Sequence, residues 1–378
     1  MTDATQTAKA AAAPAIPFSI AARQQDRFSF SPNVPASLGA TAATPLTPIE
    51  IPATGFLRGI LVEFSAAISG GTPQTTADAP FNMIQSIGVR SPEGTPLIVP
   101  VTGYQLFLIN KYGGQTWFGN NADPRVGYDF DYTVATSIHF FLWLPFEIDK
   151  ATGLGSIPAQ SASRNYQVDL TLASIQTVFG STTPPTAVAP TVTAYAFYWT
   201  QPAPANSLQQ TQVQSPNKLI SQWSLETPAL TPGDKYVKSN VQGNILRTQI
   251  YTMRNSSGAR IDVNGLTGFF QFIVNNEVQN YWSKREWEYL MTKWFGLNAA
   301  RSAGKDVADG LDTGVYVNPF HAFEGSLAGD PENSRGQMLT TNSAAQIMLY
   351  LNPVGSAGST LEILTQKITA APSTAYSK

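Results

Sequence analysis

Few residues in this chain have types and spacing that could do chemistry. The 378 residues contain two histidines, His139 in "HFFLWL" and His321 in "NPFHAFEG". A zinc site needs further His, Cys or carboxylate ligands at characteristic spacing, and neither histidine has such a neighbour. The absence of cysteine removes disulfides, thiol nucleophiles and Cys-based zinc sites. Ser-His-Asp chemistry can be assembled by a fold from distant residues, but no nucleophile-elbow motif supports it. Asp306, Asp309 and Asp312 in "KDVADGLDTG" place three carboxylates in a Gly-rich loop, the donors calcium prefers. Their spacing of three departs from the spacing of two in an EF-hand, and Asp is also an ordinary turn former. Lys305 follows Gly304 but leads into Asp306, so no phosphate-binding loop forms there. These residues read as structural, and the expectation is a protein that is not an enzyme and has no cofactor and no metal.

Composition agrees. Asp, Glu, Lys and Arg make up 13% of the chain, against roughly 25% in ordinary soluble domains. So few charges protect a lone monomer poorly against association, which points to a surface covered by further copies of the chain. An extracellular β protein with a Thr/Ser-rich surface is the other reading. The net charge of −2 and the lack of a basic stripe argue against direct nucleic-acid binding, which needs concentrated Lys and Arg. The N-terminal "MTDATQTAKAAAAPAIPF" does not read as a secretory signal, and no apolar stretch is long enough for a membrane-spanning helix.

The elements that must carry these residues are short. From about residue 28, strand-length runs such as "GILVEF", "SIHFFLWLPFEI", "YQVDLTL" and "VTAYAFYWT" alternate with Pro, Gly, Asn and Ser, the pattern of an all-β chain. "YQVDLTL" alternates polar and apolar, which predicts one buried face; "FFLWL" does not, which predicts burial on both. Helix is expected in "SKREWEYLMTKWF", where Ser283 and Glu286 have capping-box spacing. Trp143, Trp199, Trp223, Trp287 and Trp294 fall in such segments and read first as core. Residues 201–217 are Pro- and Gln-rich, a linker composition.

Landmarks recur across that linker. Gly55 precedes Leu57-Arg58, and Gly243 precedes Leu246-Arg247, 188 residues later counted between the glycines. Lys111-Tyr112 is answered by Lys293-Trp294, 182 residues on, and "FLWLPF" by "MLYLNPV", about 207 on. This order predicts two tandem β domains of about eight strands each, as sandwiches or jelly rolls. The predicted boundaries are an N-terminal arm at 1–27, a first domain at 28–200, the linker, and a second domain with its tail at 218–378.

"GFLRGILVEFSAAIS", "TGYQLFLINKYGGQTWF" and "FFLWLPFEID" resemble segments of the double jelly-roll major capsid proteins, most closely those of tectiviruses, tailless phages with a membrane inside the shell. The resemblance is local to residues 50–150. It implies a homotrimeric, pseudo-hexagonal capsomer in an icosahedral virion shell, assembled in the host cytoplasm. The implied partners are neighbouring trimers, penton and minor capsid proteins and the internal viral membrane, with no direct nucleic acid. Arg23 and Arg27, the only arginines of the arm, are implied inner-face contacts to lipid phosphates or neighbours; a mobile tail is the other reading of the arm. A secreted carbohydrate-active or carbohydrate-binding β-sandwich is the alternative function.

Overall fold

The computed structural model describes residues 18, 22–52, 55–71, 76–92, 94–113, 128–130, 137–148, 153–158, 165–180, 183–200, 219–230, 236–241, 245–260, 269–283, 286–287, 289–290, 314–320, 339–341, 346–350 and 358–370. The histidine His321, the three aspartates of 306–312, Trp294 and the linker 201–217 lie outside them.

The regular elements among the described residues are almost all strands. The first half contains β1 (Gln24–Phe30), β2 (Thr44–Pro45), β3 (Ile49–Ile51), β4 (Phe56–Ser69), β5 (Ile84–Arg90), β6 (Pro96–Val101), helix α1 (Gly103–Tyr112), β7 (Tyr128–Phe130), β8 (Ser137–Pro145), β9 (Ile157–Pro158), β10 (Tyr166–Leu172), the short helix α2 (Ile175–Phe179) and β11 (Ala187–Trp199). The second half contains β12 (Leu219–Glu226), β13 (Ala229–Leu230), β14 (Tyr236–Ser239), β15 (Ile245–Arg254), β16 (Phe269–Val274), β17 (Glu277–Ser283), β18 (Val315–Pro319), β19 (Leu339–Thr340), β20 (Ile347–Tyr350) and β21 (Ser359–Ala370). Helical residues follow β17 directly, at Glu286, Trp287, Tyr289 and Leu290.

Strand order repeats between the halves. In the first, β1-β11-β4-β8 form one sheet, while β10 joins β3 to the β5–β6 hairpin in the other. In the second, β12-β21-β15-β18 and β14-β20-β16-β17 repeat both arrangements in the same chain order. Each half therefore pairs two four-stranded layers from eight principal strands. Sequence sets the local detail. β10 alternates buried and half-buried residues along its length, as its pattern predicts. Asn275 and Asn276 have φ of 52° and 66°, the doubly left-handed two-residue turn that Asn tolerates and that matches hairpin twist. The stacked rings of Phe64 and Phe140, 4.9 Å apart, lie in the first core.

Two expectations need correction, and the joint between the halves is a further finding. β8 alternates, with Phe141 and Trp143 half-buried, because its outer face is roofed only by neighbours such as Phe197. The first sandwich also begins before residue 28: β1 starts at Gln24 and pairs Gln24 with Trp199, so Arg27 lies in a strand. Ahead of it Phe18 is 2% exposed, its ring 4.9 Å from Phe56 and 6.2 Å from Trp199. A buried aromatic offsets ordering entropy that the surrounding alanines and glutamines cannot. Finally, the halves are joined: β6 and β12 pair in parallel at Ile98 and Trp223, making one continuous sheet in which the strands of each half stay together.

Candidate functional site

His139 is the histidine within the described residues. Its Nε2 lies 2.9 Å from Glu63 Oε1, and Tyr195 donates to the other Glu63 oxygen at 2.6 Å. This trio spans three adjacent strands, β8, β4 and β11, on a partly exposed face. Both Glu63 oxygens are engaged by side chains from the paired strands on either side, so the trio reads as a cross-strand polar ladder. Among the described residues no three His, Cys, Asp or Glu side chains are placed to hold a metal, and no helix is long and apolar enough to cross a membrane.

The functional information lies in how the halves are built and joined. Arg58 and Arg247 are both buried, at 0% and 2% exposure. Each occupies a β-bulge. On β4 the register against β11 steps from Gly59 to Leu57, passing over Arg58; on β15 the register against β21 steps from Thr248 to Leu246, passing over Arg247. The residue after each arginine faces a strand-ending proline, Gly59 opposite Pro145 and Thr248 opposite Pro319. The arginine carbonyls accept from the next residue along, Phe146 at 3.3 Å and Phe320 at 2.9 Å. A bulge re-aims one side chain without breaking the sheet. In the first half it turns Arg58 onto Glu147, with Nε and Nη2 at 3.0 and 2.8 Å from one carboxylate oxygen. The guanidinium stacks 4.5 Å over Trp199, whose Nε1 donates to the other Glu147 oxygen at 2.6 Å.

A second pair of anchors repeats. Thr102 and Gln105 form a capping box at the start of α1, and Ser283 and Glu286 form one after β17. From these caps each helix reaches the same carbonyl position, two residues before the strand-ending proline. Asn110 Nδ2 donates to the Trp143 carbonyl at 2.6 Å, and Trp287 Nε1 donates to the Val317 carbonyl at 2.8 Å. Each helix thus ties the end of a strand (β8 or β18) to its sandwich.

The joint between halves combines apolar and ionic contacts. Trp223, 1% exposed, lies so close to Gly113 at the end of α1 that a Cβ there would meet the indole at 2.9 Å. Asp78, from the first half, accepts from Arg254 at 2.8 Å and Arg260 at 2.6 Å, both from the second. Arg254 also donates to Glu362 at 2.8 Å. Both guanidinium groups lie over the Tyr104 ring, at 5.7 and 4.7 Å. Burial works against the Arg254 charge, but Glu362 and Asp78 outweigh it and hold its pKa above the ordinary arginine value.

Of the residues predicted to meet an inner surface, Arg23 is exposed, and its backbone exchanges hydrogen bonds with Thr200. Arg27 lies in β1. The structure does not gather them into a site. The third sequence landmark proves to be mispaired: the counterpart of "FLWLPF" is "VYVNPF" at 315–320, because β18 and not β20 takes the place of β8. The Pro-Phe dipeptide shared by both was the available signal.

No known protein family matches the chain, and no curated protein is detectably similar in sequence. Solved structures are similar over nearly the whole length. The STIV MCP matches with a TM-score of 0.56 at 14% identity, covering 92% of this chain and 97% of that one. PBCV-1 VP54 matches with a TM-score of 0.58 at 16% identity, over 94% and 98%. The fold is the double jelly roll of viral major capsid proteins. The major capsid protein P2 from bacteriophage PM2 shares it at a TM-score of 0.53 and 11% identity, over 92% and 98%. In this double jelly roll the bulged arginines and capped helices mark equivalent places in the two rolls, and the Trp223–Asp78 joint sets one roll against the other.

Proposed function

We propose that the protein is a major capsid protein, a structural subunit and not an enzyme. One observation carries this: structural likeness to capsid proteins spans more than nine-tenths of both chains in each comparison. Two stiff rolls locked by a buried joint suit a building block, and a charge-poor surface suits burial by neighbours. In this reading three copies form a near-hexagonal capsomer, and capsomers tile an icosahedral shell. Residues 28–200, extended forward to β1, form the first roll, and 218–378 the second, joined by the 201–217 linker. The arm and the start of β1, which carry Arg23 and Arg27, face inward toward an internal membrane or neighbouring capsomers, as the tectivirus resemblance suggests. Penton and minor capsid proteins complete the shell, which assembles in the host cytoplasm. The fold likeness gives the carbohydrate-binding alternative no support.

Light scattering of the purified protein tests the reading. It should report three times the chain mass of 40.6 kDa, and negative-stain images should show hexagonal blocks. A monodisperse monomer at micromolar concentration contradicts it.

A further inference from the structure

The duplication makes the internal joint a template for contact between copies. Roll one uses its edge strand β6 to receive β12, the first strand of roll two. Around this joint the edge is covered: Leu97 and Ile98 are 4% and 1% exposed, and nine of the ten residues of α1 are buried. By strand order the counterpart of β6 is β17, and the counterpart of β12 is β1. Among the described residues β17 pairs only with β16, and β1 only with β11.

The counterparts are exposed where the originals are covered. Counted from the two helix caps, Thr102 and Ser283, Leu97 corresponds to Val278, Ile98 to Gln279, and Leu108 to Tyr289. Val278 is 51% exposed and Tyr289 68%, whereas Leu108 is 0%. Tyr281 adds a half-exposed ring on β17, and Phe28 another on β1. These are four of the five large hydrophobic side chains that stand exposed in the described chain. They lie on the two edges that the internal joint would use if it were repeated.

We infer that β17 and the helical turn behind it, with Val278, Tyr281 and Tyr289, form a docking surface for β1 of a second copy of this chain. The strands run parallel, as β6 and β12 do. The contact is head-to-tail, since one copy offers β17 and the next offers β1, and such heterologous contacts close into rings when the rotation allows. The inference rests on the capsomer reading and specifies its interface.

The chain has no cysteine, so introduced thiols report this contact alone. The double variant Ser29→Cys with Gln279→Cys, both at exposed positions, is treated with a short bismaleimide. It should give covalent dimers and trimers on a denaturing gel, and each single variant should give none. Separately, Tyr281→Arg with Tyr289→Arg should convert the trimer to a monomer with an unchanged far-UV circular dichroism spectrum, because the two side chains are 49% and 68% exposed in the single chain. A wild-type trimer that neither cross-links through these thiols nor dissociates with these arginines overturns the interface and leaves the capsomer reading standing. A wild-type monomer overturns both.

Discussion

Arg58 and Arg247, 189 positions apart in sequence, occupy the same bulge in the two rolls, each followed by a residue that faces a strand-ending proline. A bulged, buried arginine is costly unless its charge is answered. At Arg58 the answer comes from Glu147, which accepts two Arg58 N–H groups on one oxygen and the Trp199 indole N–H on the other.

Arg58→Ala should therefore destabilise the fold by roughly 3–5 kcal/mol, the cost of stranding a buried carboxylate. Arg58→Met combined with Glu147→Leu should lose much less, since both charges leave together. Urea denaturation of the variants in parallel measures this. Equal losses in the single and double variants would assign the effect to packing on Trp199 rather than to the ion pair.

Much of this architecture was legible in the chain. The Leu-Arg step marked the bulge strand in both rolls because the same step lies at the bulge in each. Ser283 and Glu286 announced a capped helix, and the alternation of Tyr166–Leu172 announced its buried face. Pairing "FLWLPF" with "MLYLNPV" failed because apolar-aromatic runs ending in proline are common in β chains. The Pro-Phe dipeptide distinguishes the true partner, but its role shows only in the fold, where the Phe146 or Phe320 N–H donates to an arginine carbonyl far away in sequence. The joint was hidden for the same reason: Asp78 meets Arg254 and Arg260 only through the fold, and nothing local to any of them signals it.

Asp78 couples the rolls, so Asp78→Ala should loosen the joint before it unfolds either sandwich. Arg254 would keep Glu362 as its carboxylate, while Arg260 would lose its contact with Asp78, at a cost of about 2–3 kcal/mol for these partly buried groups. Hydrogen exchange should rise in α1 and β12 and change little in β4 or β11. Uniformly raised exchange would show that the rolls unfold as one unit.

The β16–β17 turn can be tested through backbone conformation alone. Asn276→Val places a β-branched residue at a φ of 66° and should cost about 1–2 kcal/mol. Asn276→Gly should be neutral or slightly stabilising. Thermal denaturation separates them, and equal midpoints for the Val and Gly variants would mean that the turn does not hold the left-handed form in solution.

His139 should prove dispensable. Its contact with Glu63 lies on a half-exposed face, where an ion pair contributes at most about 1 kcal/mol. His139→Ala should leave the oligomeric state and thermal midpoint nearly unchanged, as followed by light scattering and calorimetry. A hydrolytic activity abolished by this change in an intact oligomer would overturn the structural reading of the Glu63–His139–Tyr195 trio.

The second-roll helix carries a pH signature. The Ser283 hydroxyl and backbone N–H both donate to Glu286, at 2.7 and 2.8 Å, and these bonds hold its carboxyl below the ordinary glutamate value, with slight burial opposing. The folded chain thus binds this proton less readily than the unfolded one. The cap's contribution is complete above the unfolded carboxylate range, about pH 4–5, and is lost as pH falls through the lower folded value. Glu286→Gln keeps an acceptor for the Ser283 N–H but removes the titrating charge, so the helix should lose this acid dependence while keeping its cap. Ser283→Ala removes the hydroxyl donor, the largest cause of the depression, and should return Glu286 toward its ordinary value. Carboxyl-carbon NMR titration of Glu286 reads both effects. An ordinary titration of Glu286 with Ser283 intact would mean that the box does not close in solution, and that Trp287 reaches the Val317 carbonyl from a helix held by packing alone.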